Sequence, residues 1–268
     1  MVTQRINSWF LYSCLFLLMA CGRSDKEMAA EKINRAKELL AQLDTVGALA
    51  NLDSVSILFP KAKEEITRSE ALIRSIYLDQ LSLLQSKLEE TKLRITFLEK
   101  NFVKSKEKYD KYTQYIHKRQ VFKNSWDRCF LQVHLDERGE IYLSSNYYGD
   151  YWLKHSSIRV YDGDLSAKTE VVSPDSPDNR QNDFMEGKWE MVSYRGDKSN
   201  EVIDLISKNV KRKLKVVFLG KKNYYIVMEN FDKNAVREAK ILSESLKIVQ
   251  TLQEEIRLLE SKINKLSH

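Results

Sequence analysis

The feature that most limits what this chain can fold into is a pair of long stretches that keep a helical apolar period with almost no Gly or Pro. One opens at Pro60, a residue that suits a first helical turn, and runs to about Arg119. Along it Leu81, Leu84, Leu88, Thr91, Ile95, Leu98, Phe102, Ser105, Tyr109, Tyr112 and Ile116 recur at alternating steps of three and four. That spacing is the signature of a coiled-coil seam. The other stretch, about 232–266, carries Ala235, Ala239, Leu242, Leu246, Val249, Leu252, Ile256, Leu259, Ile263 and Leu266. It slips once, between Val249 and Leu252, as a stammer would. A shorter run over 27–43 repeats the period with Ala29, Ile33, Ala36, Leu40 and Leu43.

Between the long stretches the composition changes. Residues 120–230 hold six of the eight glycines and two of the three prolines, and short β-type runs alternate with turn signals. Phe130–Leu135 and Glu140–Leu143 flank Asp136-Glu137-Arg138-Gly139, which predicts a hairpin. Ile158–Tyr161 and Thr169–Val172 flank a second turn, and Leu214–Leu219 and Tyr224–Met228 a third. Glu201–Ser207 predicts one short helix, and the polar, proline-bearing Ser173–Asp183 a mobile loop. The expected fold is α+β: a long antiparallel α-helical coiled-coil stalk with a small antiparallel β head inserted between the arms. The expected divisions are residues 27–119 for the N-terminal coiled-coil helices, 120–230 for the head and 231–268 for the C-terminal helix. Tyr112 would then face Ala239 and Phe102 would face Val249, in a stalk helix roughly 90 Å long.

The N-terminus predicts export. Arg5 precedes the apolar run Trp9–Ala20, shorter than the roughly 20 residues that a bilayer span needs. Residues 1–20 therefore read as a signal peptide. The run ends in Leu18-Met19-Ala20-Cys21, which resembles the lipobox of bacterial lipoproteins. That resemblance implies cleavage before Cys21, which becomes the mature N-terminus and carries diacylglyceryl and acyl chains such as palmitate, and membrane attachment. Residues 21–26 would be the tether. Cys14 would be discarded with the signal, leaving Cys129 without an intrachain partner. No Asp follows Cys21, so the resemblance favours the outer membrane over the inner. The charged run Gly22–Glu27 resembles the surface-export signal of some lipoproteins.

Function is less legible. The four histidines, His117, His134, His155 and His268, show no metal-type spacing, and no phosphate loop or nucleophile motif is present. No catalytic residue, metal or cofactor is implied. The densest aromatic cluster, Tyr147, Tyr148, Tyr151 and Trp152, predicts a loop at 146–152 that either holds a glycan or peptide or fills the core of a small sheet. Lys100, Lys104, Lys106, Lys108, Lys111, Lys118 and Arg119 outnumber Glu107 and Asp110, yet residues 119–230 carry 18 basic and 17 acidic side chains. Export further disfavours a nucleic-acid partner. Segment 43–60, apolar and nearly free of charge, reads either as a cap on the helices or as an exposed tip for a partner or membrane. The reading is a non-catalytic envelope lipoprotein of scaffolding or adhesion type, with glycan or peptide binding by the head as the alternative. A helical hairpin joined to β structure is superficially similar to the adaptor proteins of efflux pumps, but their hairpin is inserted within β domains.

Overall fold

The computed structural model describes residues 23–266 apart from 109, 122, 124, 126, 185 and 186. The signal segment and Cys21 lie outside the described residues. The chain divides into two compact units, residues 1–83 with 256–268, and residues 84–255.

The first unit is helical. α1 (Asp25–Ala41) opens on a capping box. Ser24 Oγ accepts from the Glu27 amide at 3.3 Å, and the Glu27 carboxylate accepts from the Ser24 amide at 3.1 Å. Leu43 turns the chain in a left-handed conformation (φ 64°). Asp44 then caps α2 (Thr45–Leu58), accepting from the Gly47 amide at 2.9 Å. Ala29, Ile33 and Ala36 of α1 bury against Ala48, Leu52 and Val55 of α2, and alanines at this contact let the backbones close up. Ile73 and Ile76, from the first half of α3 (Lys63–Glu99), complete the core. Segment 43–60 thus forms a helix with one buried and one exposed side.

The second unit is built on two antiparallel sheets. One is ordered β1-β2-β3-β4-β8-β7, from β1 (Phe102–Ser105), β2 (Gln114–His117), β3 (Phe130–Asp136), β4 (Ile141–Gly149), β7 (Asn179–Phe184) and β8 (Gly187–Tyr194). The other is ordered β10-β9-β5-β6, from β5 (Ser157–Asp162), β6 (Leu165–Lys168), β9 (Lys215–Leu219) and β10 (Tyr224–Val227). Leu131, Val133, Leu135, Leu143 and Val192 of the first sheet share a core with Ile158, Val160, Val216 and Phe218 of the second. Val202, Ile203 and Ile206 of α4 (Asn200–Lys208) join it, as do Ala235, Val236, Ala239 and Leu242 of α5 (Asn230–Lys265).

The expected coiled-coil stalk with a small head does not form. α3 stops at Glu99, and the next residues enter a hairpin in which Phe102 pairs with His117 and Ser105 with Gln114. Phe102, Tyr115 and His117 turn inward at period two, not along the three–four stripe. Two forces oppose a helix here. Lys100, Lys104, Lys108 and Lys111 would stack like charges one turn apart, each pair costing a few tenths of a kcal/mol. Val103, Thr113, Tyr115 and Ile116 meanwhile favour a pleated surface. The expected layers Tyr112–Ala239 and Phe102–Val249 are lost with the helix. The N-terminal half of α5 is part of the two-sheet core, not an arm beyond it, and the sheets make a substantial domain. The division at 119/120 likewise falls inside the β structure. The predicted loop over Ser173–Asp183 ends in β7, because turns closed by Ser176 N to Ser173 O and Asn179 N to Ser176 O deliver the chain to the sheet edge.

Candidate functional site

β4 sorts its side chains by alternation. Leu143, Ser145 and Tyr147 face the core: Ser145 bonds His155, and the Tyr147 ring lies 5.1 Å from that of Tyr224. Tyr142, Ser144, Asn146 and Tyr148 therefore face the opposite side of the six-stranded sheet. Register extends this outer face. Tyr142 pairs with His134 of β3, while Ser144, Asn146 and Tyr148 pair with Ser193, Met191 and Trp189 of β8. Val202, Ile203 and Ile206 of α4 and Ala235, Ala239 and Leu242 of α5 contribute to the inner core.

The outer face combines half-exposed rings with a polar floor. His134 stacks flat on Tyr142 with centroids 4.5 Å apart, and the Arg195 guanidinium covers Tyr142 at 4.4 Å. Arg195 is held by Asp178 at 2.8 Å. Tyr148 lies so close to Gly187 that a Cβ there would meet its ring at 2.5 Å. Between the rings sit the buried side chains of Ser144, Asn146 and Ser193. Asn146 is 6% exposed, and its amide nitrogen has no hydrogen-bond partner among the described residues. A buried donor of that kind costs about 1–3 kcal/mol unless something accepts from it.

Burial, aided by Arg195, pushes the His134 imidazole down to about 4, and its Nε2 lies 2.7 Å from Ser144 Oγ. The ring is therefore neutral at physiological pH. Unfolding restores its ordinary value of about 6.5, so the unfolded chain binds a proton that the folded one refuses as pH falls from about 6.5 to about 4. This contribution is fully present above pH ~6.5 and disappears on acidification, on the order of 3 kcal/mol in all. Urea midpoints across that window should fall less steeply in His134→Gln than in the wild type; equal slopes would contradict the assignment.

The four aromatics expected to form one ligand loop are divided. Tyr147 is buried on the inner side, because Tyr147 and Tyr148 are consecutive in a strand and must face opposite ways. Only Tyr148 reaches the outer face. Tyr151 is exposed, with Lys222 over its ring at 4.6 Å, and Trp152 meets Lys188 at 5.3 Å. His134, Tyr142, Asn146 and Trp189 went unselected; the alternation of Tyr142, Ser144, Asn146 and Tyr148 was the available signal. In the basic cluster, Lys104 pairs with Glu99 at 2.9 Å on the edge strand β1, where cations discourage further strand pairing.

A second constellation has the arrangement of a nucleophile, base and acid. Ser145 Oγ lies 2.7 Å from His155 Nε2, and His155 Nδ1 lies 2.6 Å from Glu190 Oε2. All three side chains are completely buried, and Ser145 Oγ is also 2.9 Å from the Tyr194 hydroxyl. No substrate carbonyl reaches this hydroxyl with the sheets closed. Glu190 accepts from the amides of Leu153 at 2.6 Å, Lys154 at 2.8 Å and His155 at 3.1 Å. The group is a latch: it fastens the segment leading into β5 onto β4 and β8.

Cys129 lines a cleft of about 440 Å³ with Phe130, Tyr148, Tyr224 and Asp232. Its sulfur lies 3.2 Å from the Tyr148 carbonyl, and burial raises the thiol above its ordinary value, which keeps it protonated. Asp232 accepts from Gln120 at 2.9 Å and pairs with Arg128 at 2.5 Å, and Arg128 is sandwiched between the Phe130 and Phe231 rings. These contacts pin the start of α5.

No family model matches the chain, and neither a curated protein nor a solved structure matches it. Among the described residues no helix is long and apolar enough to cross a membrane, and no group of three His, Cys, Asp or Glu could hold a metal ion.

Proposed function

We propose that the protein is a non-catalytic, lipid-anchored envelope protein that binds a glycan on the outer face of its six-stranded sheet. The observation that carries this reading is the row of half-exposed rings on that face, His134 stacked on Tyr142 beneath the exposed Arg195 guanidinium and Trp189 paired with Tyr148. A sugar ring has an apolar face that stacks on aromatic rings and a rim of hydroxyls that accept from amides and guanidinium groups. His134, Tyr142, Tyr148 and Trp189 offer the first kind of contact, and the exposed Arg195 guanidinium the second. With no long stalk, scaffolding loses its main structural argument, and the sheet face becomes the better reason for the protein to exist. Attachment through acylated Cys21, with the outer membrane favoured, belongs to the same reading and rests on Leu18-Met19-Ala20-Cys21.

A glycan array probed with the purified protein tests the proposal, followed by titration of the retained sugar. Trp189→Ala and Tyr142→Ala should each weaken binding by roughly tenfold, the loss of about 1.4 kcal/mol of stacking. Tyr151→Ala, outside the face, should leave binding unchanged. An array without signal, or affinity indifferent to both ring deletions, would reject the outer face as the site. Retention that depends on Tyr151 instead would return the ligand to the loop.

A further inference from the structure

We infer that the free edge of β10 takes up an extended cationic peptide as an added strand. The two sheets end in four edge strands, β1, β7, β10 and β6. Three of them carry charges that discourage further pairing: Lys104 in β1, Lys168 in β6, and Arg180 and Asp183 in β7. β10, Tyr224-Tyr225-Ile226-Val227, has neither a charge nor a proline. Its register shows which groups are open. The Met228 amide donates to the Leu214 carbonyl at 2.9 Å, continuing the ladder in which Ile226 faces Val216 and Tyr224 faces Phe218. Alternate residues of an antiparallel strand bond to opposite sides, so the amides and carbonyls of Tyr225 and Val227 point to the free edge. Among the described residues no strand pairs with that side.

The surroundings of the edge set the chemistry of the occupant. The cleft of about 440 Å³ is lined by Ile226 and Met228 and, from the start of β3, by Cys129, Phe130 and Leu131. A strand added beyond β10 turns the residue opposite Ile226 to the same side as Ile226, toward this cleft, which suits an apolar side chain. The residues opposite Tyr225 and Val227 turn outward, beside side chains that are 60% and 48% exposed. Charge differs between the two ends of the strand. Asp127 and Glu229 also line the cleft; both are exposed, and neither forms an ion pair among the described residues. Arg128 between them is already paired with the buried Asp232. Lys221 and Lys222 stand at the other end, in the turn from β9. The Val227 end therefore calls for a lysine or arginine on the peptide.

The test pans a displayed library of random ten-residue peptides on the full chain, after depletion on its Val227→Pro variant. Proline there removes one edge amide and leaves the β9 ladder intact, because that amide does not point to β9. Retained peptides should alternate apolar residues and carry Lys or Arg toward one end. Synthetic copies should bind the wild type at least about tenfold more tightly than Val227→Pro, and several-fold more tightly than a double variant with Asp127→Lys and Glu229→Lys. Hydrogen exchange at the Tyr225 and Val227 amides of the wild type should slow at least about tenfold in the complex. No peptide retained beyond Val227→Pro, or a retained peptide that leaves both amides exchanging as in the free chain, would overturn the added strand. Binding indifferent to the charge reversal would overturn the cationic partner. Protection of both amides in the chain alone, growing with its concentration, would show a second copy on the edge and overturn the peptide as occupant.

Discussion

Glu190→Ala should lower the unfolding free energy by about 3–5 kcal/mol, the scale for removing one partner from a buried charged network. The carboxylate is wholly buried yet receives four hydrogen bonds, from three consecutive amides and from the His155 ring. Burial pushes its pKa up, but the His155 and backbone hydrogen bonds outweigh that and hold it below the ordinary value. Alanine leaves three amides and an imidazole without their acceptor, and two of those amides belong to the fully buried Leu153 and His155. Glu190→Gln should fall in between, since an amide oxygen still accepts while the nitrogen opposes the remaining donors. The sign with pH follows: a carboxyl with a depressed folded pKa stabilises above its unfolded value, and the benefit disappears as pH falls through the folded one. The deficit of Glu190→Ala, measured by urea unfolding, should therefore shrink below pH ~4. A loss under about 1 kcal/mol at neutral pH would show that the latch does not hold the sheets.

How much of this was legible in the sequence depends on the range over which each feature is decided. The β3–β4 hairpin was legible because its turn is local: Asp136-Glu137-Arg138-Gly139 ends on a glycine at φ 83°, a conformation that other residues resist. The helical stripe from Leu84 to Leu98 was equally local, and these positions are the more buried ones along the second half of α3. The end of that helix was not read, because Phe102, Ser105, Tyr109, Tyr112 and Ile116 keep the three–four spacing by coincidence. The lysines spaced one turn apart carried the contrary signal.

The candidate site was partly legible. His134 against Tyr142 follows once the hairpin register is known, since register in a tight turn fixes every cross-strand pair. Trp189 could not be placed, because β8 reaches β4 across some forty residues and two intervening strands of the other sheet. The latch is hidden for the same reason: Ser145, His155 and Glu190 meet only when both sheets are assembled.

Gly220→Ala is the second substitution with a large expected effect, and it tests the latch from its other side. A Cβ at Gly220 would stand 2.4 Å from the Leu153 carbonyl oxygen, 2.7 Å from the His155 nitrogen and 2.8 Å from the His155 Cα. All three are backbone atoms, so no side chain can swing away to make room. The same contact is closed by Lys221 N to Leu153 O at 2.8 Å and Ser156 N to Leu219 O at 3.0 Å. The added methyl must push residues 153–155 off the β9–β10 turn, costing about 2–3 kcal/mol, the upper range for overpacking. Gly163→Ala is the matching control: nothing lies within 4 Å of its Cβ, so only its positive φ opposes the change, at about 1 kcal/mol. Because Glu190→Ala frees the same three residues from their other tether, the double variant should lose at least about 1 kcal/mol less than the sum of the two. Strict additivity would mean that Glu190 and Gly220 hold residues 153–155 independently, and the single latch would have to be abandoned.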